Sequence, residues 1–281
     1  MNHIMSRQTF KEGVARWLFA AAAAISILAV ALICLFLFAN GVPAMAQIGL
    51  PDFLLGTTWK PGSDMYGIFP MIVGSLYVTA GAIVVGVPAG ILTAIFLSRF
   101  ANTTIVRLLK PAVELLAGIP SVVYGFFGLM VVVPLVRSIG PGNGLSLLAA
   151  SFLLGIMILP TIITVSKNAL DAVPQSYYEG ALALGATHER SVFRIIVPAA
   201  FSGIMASIGV GRAIGETMAV VMVAGNQAVI PSSIFDGVRT MTANIVLEMG
   251  YAADLHRGAL IAPGVVLFVF VMLISLLFGA I

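Results

Sequence analysis

IMASIGVGRAIGETMAVVMVAG, residues 204–225, sets Arg212 and Glu216 in the middle of a run long enough to cross a membrane. A charged side chain at that depth costs about 2.5–3.5 kcal/mol on insertion scales, so it faces a partner or a watery path rather than lipid. Residues four apart share a helix face, and the spacing predicts that guanidinium and carboxylate meet and offset each other. Gly211 and Gly215 form a small-xxx-small step that lets another helix come close. Two readings of the pair stand open. One is a structural ion pair that fixes helix register. The other is an anion-handling site on a permeation path, in which the arginine offers planar, bidentate donors.

Working outward, the chain keeps the same character. Of 281 residues, 60% are hydrophobic and 9% charged, against about 25% charged in soluble domains. Several uncharged runs exceed the roughly 20 residues that span a bilayer. The fold class is therefore an all-α polytopic membrane protein. Six transmembrane helices are expected, at 17–39, 68–97, 115–136, 145–166, 195–223 and 258–281, with no room for a soluble catalytic domain. The net charge of +3 does not indicate nucleic acid, because most basic residues sit in short loops beside spans, where orientation explains them. Cys34 is the single cysteine and lies in the first apolar run, so it forms no intrachain disulfide.

Residues 1–16 read as a polar cytoplasmic tail and 17–67 as the first span with an extracytoplasmic connector. The Ala44-Met45-Ala46 triplet resembles a signal cleavage site, but the 23-residue apolar run is longer than a signal core of about 7–15, and a retained helix fits better. Residues 40–67, rich in Gly, Pro and Asp, read as a loop. Glycines and prolines inside 68–97 predict a kinked helix buried in the bundle. Nine Lys/Arg fall in the tail and in the 99–110 and 167–194 loops, against four in the other loops. The positive-inside rule then puts both termini in the cytoplasm, which excludes glycosylation at Asn102-Thr103-Thr104.

The 167–198 segment is the most informative loop. Pro174 opens a helix, Tyr177–Leu184 forms two turns, and Gly185 ends them in a left-handed cap. A second helix is expected from His188 to Ile196, before Pro198, with Val192, Ile195 and Ile196 on its apolar side. Such a pair is either a docking knob for a soluble partner or an amphipathic segment on the lipid surface.

Here the residues resemble a known family. Glu179-Gly180-Ala181, then Gly185 after three intervening residues, and Ile195-Ile196-Val197-Pro198 after nine more, resemble the EAA loop of bacterial ABC importer permeases. Gly180 replaces an alanine of that pattern and Val197 a leucine. The block Gly211–Val220 with Gly225-Asn226, together with Phe53–Trp59 and Glu114–Phe126, is similar to the permeases of phosphate importers, nearer the PstC than the PstA type. The resemblance implies a MetI-like fold over a type-1 permease domain at 68–281, in the bacterial inner membrane. It implies a second, PstA-like permease subunit, two copies of an ATP-binding subunit that hold ATP and Mg, and an extracytoplasmic phosphate-binding protein. It implies that Glu179, Gly180, Ala181 and Gly185 couple to the ATPase, and that Arg212, Glu216 and Thr217 lie on the substrate pathway.

Other patterns carry less. Gly209-Val210-Gly211 with Gly215 has its third glycine one position late for a dinucleotide fingerprint and lacks a βαβ unit. His188 and His256 have no second ligand at metal spacing, so no metal site is expected, and each is expected in a loop facing water. Residues 254–257 read as a solvated loop. No G-x-x-x-x-G-K-[ST] occurs, so the chain binds no ATP of its own. Permeases for molybdate, sulfate or an organic solute remain as alternatives, as do a proton-coupled carrier and an intramembrane enzyme acting on lipid.

Overall fold

The computed structural model describes residues 2–208 and 210–279, with side chains over 12–208 and 211–277. The chain begins with helix α1, Asn2–Ile48, followed by the short α2, Leu50–Leu55, and a hairpin of β1, Trp59–Lys60, with β2, Met65–Tyr66. Helix α3 runs Phe69–Ile95 and ends in a wider π turn at Phe96–Phe100. After it come α4, Thr103–Gly118, α5, Ser121–Phe127, a π turn at Gly128–Val132, and α6, Val133–Ile139. Helix α7 is Leu147–Asp171. The loop helices are α8, Gln175–Ala183, and α9, His188–Ser191, the latter widening into a π turn at Val192–Ile196. Short pieces α10, Val197–Ala199, α11, Phe201–Ser207, α12, Val210–Gly215, and α13, Met218–Val223, follow. The chain closes with α14, Met241–Glu248, and α15, Asp254–Gly279.

Among the described residues five helices are long and apolar enough to cross a membrane. The count is six if His188–Ala199 and Phe201–Gly215, bent by 70°, form one span. The expected six-helix organisation is thus present, with local corrections. The tail does not end where polarity ends: α1 runs unbroken from Asn2 and, at 1.5 Å per residue, extends about 70 Å, well beyond a bilayer core of about 30 Å. Residues 40–67 are not a plain loop, since α1 continues through Pro43 to Ile48 and the hairpin follows. The third span begins at Ser121 and not at Leu115. Pro120 starts a new helix there, and Glu114 ends up on α4, a separate helix with no buried residue. The Asn102 side chain caps α4 by accepting from Ile105 N at 2.9 Å, so this supposed loop is helical.

The core is built on α3 against α7. A Cβ on Gly86 would lie 2.7 Å from Gly155 O, and one on Gly90 would lie 2.6 Å from Ile162 Cγ2. Only hydrogen in place of a side chain lets the two backbones meet at this distance, which is how helices associate where lipid removes the hydrophobic drive. Around the pair, Val78, Ala82, Leu153, Ile158 and Ile162 pack with Val220 and Val223. Two smaller clusters cap the bundle. One, at the hairpin end, joins Phe53, Trp59, Met71, Met241 and Leu260. The other, at the opposite or loop end, joins Ala94, Ile95, Leu170, Val192 and Ile196. Helix α1 packs on the outside, antiparallel to α15, with Ala44 beside Gly258 and Leu37 beside Gly264.

Candidate functional site

The span expected at 195–223 is not one helix. It bends at Ala200, and it breaks again between Gly215 and Met218. Proline at 198 cannot donate to the ladder, which weakens the first point. At the second, Glu216 and Thr217 leave the helix and their polar groups turn inward on the chain itself. Thr217 Oγ1 donates to Gly215 O at 3.2 Å and Thr217 N donates to Glu216 Oε1 at 3.2 Å. The Glu216 carbonyl accepts from Thr242 Oγ1 at 3.2 Å. A side chain here thus replaces the helical partner that the break removes.

This corrects the expectation for Arg212 and Glu216. The four-residue rule requires a continuous helix, and the break removes the shared face. Among the described residues they do not form an ion pair. Glu216 is half-buried and Arg212 is exposed on the surface of this chain. Helix α12, which carries Arg212, packs against α3 and α15. Gly211 does serve close packing, since a Cβ there would be 3.0 Å from Val271 Cγ1, whereas nothing lies within 4 Å of one on Gly215. Gly209 of the discarded dinucleotide pattern lies outside the described residues, as do the last two residues of the sixth expected span.

The 167–198 loop follows its sequence closely. Pro174 precedes α8, Gly185 sits at φ +82° as the left-handed stop, and α9 starts at His188 and continues as the π turn to Ile196. Thr187 caps α9 by accepting from Arg190 N at 3.4 Å. Glu189, in its first turn, is held below the usual carboxylate range by its own backbone N–H and by the Thr187 hydroxyl. Of the four residues expected to couple, Glu179, Gly180 and Gly185 are exposed and Ala181 is buried. An exposed glutamate near a buried alanine gives α8 one face against the bundle and one exposed face. His188 is not a free loop residue: its Nδ1 lies 2.8 Å from Tyr178 Oη, and its ring stands edge-on to Phe100 at 4.8 Å.

The region that sequence reasoning missed is at the hairpin end. Glu248 accepts at one carboxylate oxygen from Arg239 Nη1 at 2.7 Å. At the other it accepts from Trp59 Nε1 at 2.9 Å and meets His256 Nε2 at 3.0 Å. Arg239 also donates to Asn244 Oδ1 at 3.0 Å and to Asn226 O at 2.9 Å. The carboxylate and guanidinium are only 10% and 18% exposed. His256, expected in water, is instead boxed by Trp59, Tyr66 and Tyr251, and residues 254–257 are the first turn of α15. The hairpin holding Trp59 is further set by Tyr66, whose phenol is pushed up by burial and by Asp64. No local signal marks this cluster, because Trp59 and Glu248 lie 189 residues apart.

A bundle of apolar helices with a broken span and a two-helix loop projecting from one end is the architecture of a polytopic membrane protein. The chain belongs to the family of binding-protein-dependent transport system inner membrane components, whose sequence pattern matches residues 86–281. Over 98% of its length it is 40% identical to a Bacillus subtilis protein called probable ABC transporter permease protein YqgH, covering 94% of that protein. It is 36% identical to the phosphate transport system permease protein PstC of Mesorhizobium japonicum, over 86% of this chain and 81% of that one. The PstC of Haemophilus influenzae is also 36% identical, over 80% and 79%. Among solved structures, an inward-facing MetNI methionine ABC transporter matches with TM-score 0.55 at 20% identity, covering 79% of this chain and 97% of that one. An amino acid ABC transporter with histidines matches with TM-score 0.53 at 18% identity, over 75% and 90%. These two likenesses are of fold.

Proposed function

We propose that this chain is the non-enzymatic permease subunit of an ATP-driven importer of inorganic phosphate, working by alternating access. The observation that carries the reading is the 36% identity to two PstC proteins over most of the chain, with Arg212 exposed next to a broken span in support. A membrane-depth arginine open on one subunit's surface needs a partner outside that subunit, and a path shared with a second, PstA-like permease supplies it. Two ATP-binding subunits carry ATP and Mg and dock on Glu179, Gly180, Ala181 and Gly185. An extracytoplasmic phosphate-binding protein delivers the ligand to the hairpin end. In this reading both termini are cytoplasmic, 1–16 is a tail and 68–281 is the transport domain.

The chemistry follows from donor types. An arginine fork matches a tetrahedral oxyanion. Glu216, set back at the break, repels a fully deprotonated anion and accepts a hydrogen bond from the proton of hydrogen phosphate, which sulfate lacks at neutral pH. Thr217 supplies a hydroxyl beside it. The contact is weak by necessity, because a ligand held tightly would not leave.

The test is uptake of radiolabelled phosphate by vesicles containing the reconstituted complex, with ATP present or withheld. Arg212→Gln abolishes uptake while the complex still assembles; normal flux in that variant removes Arg212 from the pathway. A permease of this architecture for another solute is the second reading, favoured by the 40% relative whose name gives no substrate. Equal competition by sulfate or molybdate would select it.

A further inference from the structure

The α8–α9 loop leaves the bundle from α7 and returns through α9, and both of its feet are held by three consecutive residues at the end of α3. Ser98 Oγ donates to Asp171 Oδ1 at 2.5 Å and Arg99 Nη2 donates to Leu170 O at 2.5 Å, so the departing foot is tied to α3. Phe100, the next residue, meets the returning foot: its ring is 4.8 Å from that of His188 and 6.3 Å from that of Phe193. His188 in turn is 2.8 Å from Tyr178 Oη on α8. A phenol both donates and accepts, so either tautomer of the ring keeps this bond. The π turn at Phe96–Phe100 is what lets successive side chains face both feet, since the extra residue widens the turn and shifts their directions. Beneath them Ala94 and Ile95 pack with Leu170, Val192 and Ile196.

We propose that His188 is a positioning residue that, through Phe100, clamps the loop to the second span, so that α3 and α7 move with the loop as one body. The proposal rests on the reading that an ATP-hydrolysing subunit docks on α8. A push on α8 reaches His188 through Tyr178, passes to Phe100, and enters a helix already locked to α7 at Gly86 and Gly90. Helix α12, with Arg212, packs against α3 and is displaced with it. The closely packed pair is a rigid element that does not absorb the motion along its length.

Two measurements test this on the full reconstituted complex. In His188→Ala and Phe100→Leu the ATP-binding subunits still copurify and ATP is still hydrolysed, but solute accumulated per ATP falls at least ~5-fold, the size of a modest coupling energy. Tyr178→Phe, which keeps the ring, falls less. An unchanged ratio in both His188→Ala and Phe100→Leu overturns the clamp. So does loss of the ATP-binding subunits from both, which would make these residues part of the docking surface. Separately, in a Cys34→Ser background, spin labels at the exposed Leu92 and Gln175 keep their separation within about 2 Å when ATP is added, and the separation shifts in Phe100→Leu. A shift in the otherwise unsubstituted protein overturns the proposal. Failure of the unsubstituted complex to take up phosphate, with this separation constant, counts against the proposed substrate and leaves the clamp standing.

Discussion

The two long connectors of this chain lie at opposite ends of the bundle and are held by different forces. The backbone of the 172–196 loop takes its shape from near neighbours, although its feet are tied to the end of α3. Pro174 starts a helix, Gly185 stops it at φ +82°, and Thr187 caps the next one, each acting within four residues of itself. The 224–253 connector is built from distant ones. Its Arg239 and Glu248 are closed by Trp59 from the first connector and His256 from the last span. The first is a projecting part with one face against the bundle and one exposed. The second is a knot that joins three separate parts of the chain, with its charges out of water.

If this contrast is right, the largest effect comes from cutting the knot. Glu248→Ala takes the carboxylate from Arg239, leaving it only the neutral acceptors Asn226 O and Asn244 Oδ1, and from His256, in a site only 10–18% exposed. Breaking such a buried pair by removing one partner costs about 3–5 kcal/mol. A clear drop in the melting temperature of the detergent-solubilised protein is expected, and an unchanged melting temperature would erase the distinction between the connectors. A smaller and different effect is expected from Gly185→Ala. A residue with Cβ in the left-handed region costs about 1–2 kcal/mol, and here that cost falls on a projecting loop. Melting should barely move, while binding of the ATP-hydrolysing subunit weakens by roughly 5–30-fold, read by copurification at limiting concentration. The smallest effect sharpens the comparison within the same loop. Nothing lies within 4 Å of a Cβ on Gly180, and its place is inside a helix. Gly180→Ala should therefore be tolerated, with up to about 1 kcal/mol of local gain in helix propensity, and coupled transport unchanged. Loss of transport in this variant would mean that the glycine itself is read by a partner.

The same contrast explains what could be seen beforehand. The EAA-like loop was legible almost to the residue, because caps, proline and glycine act on their own neighbours. Residues 204–225 read as a polar spot in an apolar run, but the four-residue spacing sets Arg212 and Glu216 on one face only along a continuous helix. The break at Glu216–Thr217 is stabilised partly from outside that segment, by Thr242 Oγ1 on the Glu216 carbonyl, a contact that no window of the segment contains. The helical continuation of α1 through Pro43, the hairpin at Trp59 and the placement of His256 escaped for the same reason: each depends on what packs against it.

By itself, the sequence determined that this chain is a bundle of about six apolar helices with a two-helix loop between the fourth and fifth. Hydropathy and capping are properties of adjacent residues, and they survive being read one window at a time. Tertiary structure alone decided that the arginine and the glutamate part company, that His188 bridges the loop to the second span, and that Glu248 gathers Arg239, Trp59 and His256. Each of these depends on which groups replace water or a helical partner for a polar atom, and that is settled by approach in space between residues far apart along the chain.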